Sequence, residues 1–209
     1  MECRFSEVVK TEAEIRAAIG HPGNAPLRKV AAVLDDHCRA FIARCPFLLI
    51  ASSDLDGNMD VSPKGDPAGF VRVLDDSTIA IPDRPGNRRA DTFRNLLQRP
   101  HVGLLFLIPG RPDTLRMNGT AMIVRDQWLR DQTAIGGKAP DLALVVKVNE
   151  VFFHCPKCIA RSKLWDREQW PDLEGLASFA RMKVERGRFQ VGVEEMEAFV
   201  AKDTRERLY

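Results

Sequence analysis

The chain has 209 residues, 44% of them hydrophobic, and a formal net charge of +2. That length suits one domain with appended helices, and that apolar content excludes wholesale disorder. The small charge and the scattered arginines, apart from a cluster at 84–94, argue against a general nucleic-acid binder, and no apolar run approaches the ~18 residues of a membrane span. The first ten residues are charged from Glu2 onward and lack the apolar core of a signal peptide. Five cysteines make an odd number for a disulfide framework, so reduced thiols in the cytoplasm are the simpler expectation.

Residues 1–26 are polar, with a turn cluster at 21–26. From Leu27 to Arg44, apolar residues spaced by three and four (Val30, Val33, Leu34, Cys38, Phe41, Ile42) predict an amphipathic helix. Phe47–Ser53 reads as a strand, and the Asp-Gly of residues 54–58 as a hairpin turn into a second strand from Met59. Strands follow at 70–74 and 78–82. A helix is predicted over 88–98, with Ala90, Phe93, Leu96 and Leu97 on its buried face and Pro100 as its stop. Val102–Ile108 is apolar on both faces, which predicts a strand covered on both sides. Strands at 114–124 and 142–153 complete the set. Short helical patterns occupy 126 onward, 156–164, 173–186 and 193–209.

Six or seven short strands with hairpin turns and few intervening helices favour a mainly β fold with peripheral α-helices, an antiparallel barrel over a doubly wound parallel sheet. The expected organisation is an extension at 1–26, a barrel domain at 27–165 and a helical extension at 166–209.

The most informative segment is 79–108. Arg84, Gly86, Asn87, Arg88 and Arg89 fall where a strand hands over to a helix. Backbone N–H groups and the positive end of the helix dipole suit a phosphate at such a place, and arginines clamp its oxygens with paired hydrogen bonds. The glycine-lysine-serine/threonine ending of a nucleotide-triphosphate loop is absent, so a monophosphate ligand is expected.

FLLIASSDLDGNMDVSPKG at 47–65 and GFVRVLDDSTIAIPDRPGNRRADTFRNLLQRPHVGLLFLIPG at 69–110 together resemble the pyridoxamine 5′-phosphate oxidase-like family of FMN-binding split barrels. The resemblance spans about residues 28 to 165 and implies an FMN-dependent oxidoreductase, a homodimer with FMN at the subunit interface. It implies that Asp60, Val61, Ser62, Pro63 and Lys64 lie along the flavin ring. Ile81, Pro82, Asp83 and Arg84 would line the ribityl chain, with Asn87, Arg88 and Arg89 on the phosphate. The segment CPKCIARSKLW would lie near the partner's flavin. Its helical stripe of Arg161, Ser162 and Trp165 makes those three candidate flavin contacts, against the simpler reading of an interfacial tryptophan. The arginine-histidine-aspartate-arginine pattern of the biosynthetic oxidase is missing after residue 165, which counts against pyridoxamine phosphate as the substrate. A non-catalytic FMN-binding or sensing protein, and a split barrel using F420 or heme, remain as alternatives.

Other motifs yield simpler readings. Cys155-Pro-Lys-Cys158 lacks the further ligands of a structural zinc site and reads as packing cysteines. Asp54, Asp56 and Asp60 lack the EF-hand spacing and read as a hairpin turn. His37 reads as an exposed helix residue and His101 as structural. No metal site is expected, and no residue stands out as a catalytic acid or base.

Overall fold

A computed structural model of the chain describes residues 4–24 and 29–209. It divides into two compact units, Met1–Val30 and Ala31–Tyr209. The first holds α1 (Glu12–Ile19), opened by a capping box in which Thr11 Oγ1 accepts from the Glu14 N–H and Glu14 Oε2 accepts from the Thr11 N–H.

The second unit is built on seven strands: β1 (Phe47–Ser53), β2 (Met59–Gly65), β3 (Arg72–Asp75), β4 (Thr78–Pro82), β5 (His101–Leu107), β6 (Thr114–Val124) and β7 (Ala143–His154). They form one antiparallel sheet in the order β2-β1-β5-β6-β7-β4-β3. The mainly β, antiparallel expectation therefore holds, with seven strands. The peripheral helices of this unit are α2 (Asp36–Ile42), α3 (Asp91–Gln98), α4 (Gln127–Gln132), α5 (Lys157–Ser162), α6 (Phe179–Gly187) and α7 (Val193–Glu206). No helix among the described residues is long and apolar enough to cross a membrane.

Period-two alternation decides which face is inside. Leu48 and Ile50 of β1, Leu104 and Phe106 of β5, Leu115 and Met117 of β6, and Val146 of β7 point into one core, closed by Cys38, Phe41 and Ile42 of α2. β5 departs from expectation: Val102, Leu104 and Phe106 are buried, whereas Leu105 and Leu107 on its other face are only half-buried.

Helix boundaries differ from the sequence pattern for local reasons. α2 starts only at Asp36, because Asp35 caps it by accepting the Cys38 N–H at 2.8 Å. The rest of the predicted 27–44 helix is a bridge and bends, with residues 25–28, and with them part of the 21–26 turn, outside the described residues. α6 begins at Phe179, after the Ser178 cap, which places 173–178 outside the helix predicted there.

β6 and β7, the longest pair, shift register between Asn118 and Gly119. A Cβ at Gly119 would run into the Lys147 carbonyl oxygen and crowd the Val146 side chain. A backbone neighbour cannot swing away, so the bulge requires glycine. Gly119→Ala is expected to lower stability by about 1–3 kcal/mol, read as a lower urea midpoint with an unchanged m-value.

Candidate functional site

A cleft of about 490 Å³ opens between β2, the turn after β4 and the start of α3. Alternation along β2 turns Asp60, Ser62 and Lys64 to one side, half-buried, and leaves Val61 and Pro63 exposed on the other. Ser62 and Lys64 line the cleft. β2 is an edge strand, so every second main-chain group faces away from β1 with no strand partner, which also explains why Pro63 is tolerated.

The rim is the turn from Arg84 to Ala90. Arg88 and Ala90 both adopt left-handed backbone, with φ of 60° and 57°. Such residues cost roughly 1–3 kcal/mol each and concentrate where a ligand is clamped. Asn87 Oδ1 accepts the Arg89 N–H at 2.9 Å and shapes the turn. α3 therefore starts at Asp91 rather than at Arg88. Its N-cap, Ala90, supplies no side-chain hydrogen bond, so first-turn N–H groups stay free for an anion. Among the described residues Arg88 has no hydrogen-bond or ion-pair partner, whereas Arg89 Nε donates to Asp91 Oδ2 at 2.7 Å. That bond holds the Arg89 guanidinium above its ordinary pKa.

Polar contacts fix α3 against the sheet. Thr92 Oγ1 donates to Asp60 Oδ2 at 2.6 Å, Ser62 Oγ donates to the same carboxylate at 3.0 Å, and Asn95 Nδ2 donates to Ser52 Oγ at 3.1 Å. The helix thus buries Thr92 and Leu96 and half-buries Phe93, and Leu97, expected inside, is exposed. Lys64 Nζ stands 5.8 Å from the Phe93 ring centroid.

Two ion pairs join β2 to the exit of β4, strands that share no ladder. Lys64 Nζ lies 3.2 Å from Asp83 Oδ1 with both side chains partly exposed. Arg84 Nε lies 2.6 Å from Asp66 Oδ2, with the Asp66 side chain 1% and the Arg84 side chain 15% exposed. Arg84 Nη2 also donates to the Thr133 carbonyl at 2.8 Å.

Of the residues read from the sequence as ligand contacts, Ser62, Lys64, Asp83, Arg84, Asn87, Arg88 and Arg89 line this one cleft. Asp60 sits behind Ser62 and Thr92. Ile81 and Pro82 are buried, and Ile81 packs in the core. Arg161, Ser162 and Trp165 lie outside the cleft: Ser162 Oγ donates to the Ile159 carbonyl and Trp165 Nε1 donates to the Arg111 carbonyl at 2.7 Å. Sequence reasoning missed Phe93 as an aromatic wall, the loop of Lys138, and Arg207 and Tyr209. Hydropathy carries no signal for such distant approaches.

Cys155 and Cys158 are exposed, so they are not packing cysteines, because α5 presents Ile159 to the interior instead. Among the described cysteines, Cys38 and Cys45 are the buried ones. Burial, reinforced by the Asp35 carboxylate, pushes the Cys38 thiol up to about 12. No group of three or more metal-binding side chains occurs among the described residues.

A family model described as pyridoxamine 5′-phosphate oxidase matches residues 34–155. The chain belongs to the pyridoxamine 5′-phosphate oxidase family. Solved structures similar to it include HupZ of Group A Streptococcus, at 18% identity over 57% of this chain and 92% of that one, with a TM-score of 0.48. General stress protein 26 of Bacillus anthracis is 14% identical over 55% of this chain and 88% of that one, with a TM-score of 0.41. HutZ, described as the heme storage protein of Vibrio cholerae, is 15% identical over 58% of this chain and 94% of that one, with a TM-score of 0.39. Among curated proteins none matches the chain.

Asp66→Ala would leave the Arg84 guanidinium largely buried without its carboxylate. The expected loss is about 3–5 kcal/mol of stability, measured by urea unfolding. A change under about 1 kcal/mol would show that solvent replaces the partner.

Proposed function

We propose that this family member binds FMN in the cleft and acts as an FMN-dependent oxidoreductase on a small molecule. The observation that carries the reading is the rim of the cleft. An uncapped helix N-terminus, two left-handed non-glycine residues and the Arg88 and Arg89 side chains meet at one point. A terminal phosphate, costly to bury unpaired, finds main-chain donors and guanidinium groups together there.

The rest of the donor set suits the remainder of such a ligand. A volume of about 490 Å³ is in the range of small-molecule sites. The Phe93 ring offers an apolar surface and Lys64 a cation beside it. The unpaired edge of β2 offers main-chain groups to the polar rim of a flavin. The Ser62 hydroxyl donates to Asp60 and keeps lone pairs free to accept. When bound, FMN supplies hydride transfer, and the chain's own residues bind and orient it. The described lining contains neither histidine nor cysteine, and the hydroxyl of its tyrosine, Tyr209, already donates to Asp66, which weighs against heme.

The same reading includes a homodimer. On the outer face of the sheet, cross-strand rows align Pro63, Leu49 and Leu105, and Val61, Ala51 and Gly103. Val61 and the neighbouring Met59 are exposed. A second copy of the chain covering these rows would remove an apolar surface from water. Sedimentation of the FMN-loaded protein is expected to give twice the 23.5 kDa chain mass; a monomer would refute the dimer.

The purified protein is expected to show flavin absorption, and reduction by NADH or NADPH followed by turnover of an acceptor would separate an enzyme from a carrier or sensor. F420 or heme would announce itself by a different spectrum. Replacing both Arg88 and Arg89 by Ala removes two charged hydrogen-bond sets, each worth about 1.5–3 kcal/mol. FMN affinity should then fall by roughly two to four decades, with the fold intact. Near-wild-type affinity in a fluorescence titration would sink the phosphate assignment.

A further inference from the structure

The last residues of the chain meet the same cleft. Tyr209 is the sole tyrosine of the sequence. Its hydroxyl donates to Asp66 Oδ1 at 2.8 Å, while Arg84 holds Oδ2 of the same carboxylate. The Arg84 guanidinium carbon stands 5.7 Å from the centroid of the Tyr209 ring, within range of a cation–π contact. Lys138 Nζ donates to the main-chain oxygen of Tyr209 at 3.0 Å. Arg207 is fixed by Asp203 through a side-chain bond at 2.8 Å and a main-chain bond at 2.9 Å. Lys138, Arg207 and Tyr209 all line the cleft.

These contacts are specific. A tail resting on a surface at random is held by apolar burial or by nothing, yet this one places a phenol on a carboxylate that is 1% exposed. Asp66 is thereby satisfied on both oxygens. Arg84, which lines the cleft, is gripped by a carboxylate, the Thr133 carbonyl and an aromatic face, and among the described residues its Nη1 makes no hydrogen bond. Lys138 and Arg207 place two further cations in a cleft whose rim carries Arg88 and Arg89, Arg207 being paired with Asp203.

We propose that Arg207–Tyr209 is a wall of the ligand site: Tyr209 is a positioning residue for Arg84, and the docked tail retains an anionic ligand seated on the Asn87–Arg89 turn. The inference rests on the FMN reading given above. A ligand that touches both the turn and the tail would lose contacts when the tail is removed, which is expected to act on the dissociation rate more than on the encounter rate. The hydrogen bond to Asp66, with burial and the Asp66 charge behind it, holds the Tyr209 phenol above its ordinary pKa, so the phenol keeps its proton at neutral pH.

Because Tyr209 is the sole tyrosine of this sequence, the protein labelled with 3-fluorotyrosine gives a single fluorine resonance that reports this segment alone. FMN added to this protein is expected to shift that resonance. Tyr209→Ala is expected to raise the FMN dissociation rate by about tenfold, the worth of one charge-assisted contact. The thermal unfolding midpoint of the ligand-free variant should fall modestly, because one oxygen of the buried Asp66 loses its donor, so dissociation rates are compared well below both midpoints. Tyr209→Phe keeps the ring over Arg84 but loses the bond to Asp66, and should fall between the two. An unmoved resonance, with dissociation rates within about twofold of wild type in both variants, would overturn the role of the tail. FMN bound through Arg88 and Arg89 would in that case leave the cofactor reading standing. Wild-type protein that fails to bind FMN in equilibrium dialysis overturns both.

Discussion

The geometry of the cleft depends on the ion pair between Asp66 and Arg84. The hydrogen-bonded sheet ends at β2 on one side and at β3 on the other, so no ladder joins β2 to β4. Asp66 follows β2 directly, and Arg84 leaves β4 two residues past its end. Their 2.6 Å contact, with Lys64–Asp83 beside it, stitches together strands that the sheet itself leaves apart. The two pairs are unequal. Lys64 and Asp83 are solvated enough that water competes for both, and such a pair is worth little. Asp66 and Arg84 are desolvated, so neither charge tolerates losing the other, and their separation becomes a fixed dimension of the site. An apolar pair of equal volume could close the same gap, but it would leave no cation facing the cleft.

The barrel was largely legible in the chain because alternation and turn chemistry are local signals. β1, β4 and β6 run where the pattern puts them, and the Asp54–Asn58 hairpin forms with Gly57 at φ 85° and Asp54 accepting the Asn58 N–H at 2.8 Å. Periodicity failed where polar contacts override it. Leu97 sits on an apolar stripe, yet the buried side of α3 is set by Thr92 reaching Asp60 and Asn95 reaching Ser52. The start of that helix was missed by three residues, because the backbone φ of Arg88 and Ala90 is invisible in a sequence where neither is glycine. Arg84 was legible as a cation at the right turn. Its commitment to Asp66, Thr133 and Tyr209 was not, since those partners come from three separate stretches of chain.

The outer face of the sheet shows how the same pattern supports two conclusions. Continuous apolar character in Val102–Ile108 predicts cover on both sides, yet the chain buries only one face of this strand fully. The half-buried Leu105 and Leu107 stand in register with Leu49 and Phe47 of β1. An apolar row of this kind is a surface that the proposed second copy of the chain could cover. The half-buried outer face leaves room for the dimer proposed above.

The cations of the cleft divide by what they already hold. Arg84 is committed to the protein, Lys64 to Asp83 and Arg89 to Asp91, whereas Arg88 meets no acceptor among the described residues. A committed guanidinium is preorganised, because its orientation is set before any ligand arrives; an uncommitted one must lose side-chain freedom on binding. The turn therefore combines both kinds of donor around one uncapped helix start. In the proposed site, the left-handed residues would bring main-chain N–H groups within reach of a ligand, and Arg88 would close on an anion seated there. Strain at Arg88 and Ala90, at the rim of the cleft, is what the proposed site would account for: a regular helix start there would cost less backbone energy.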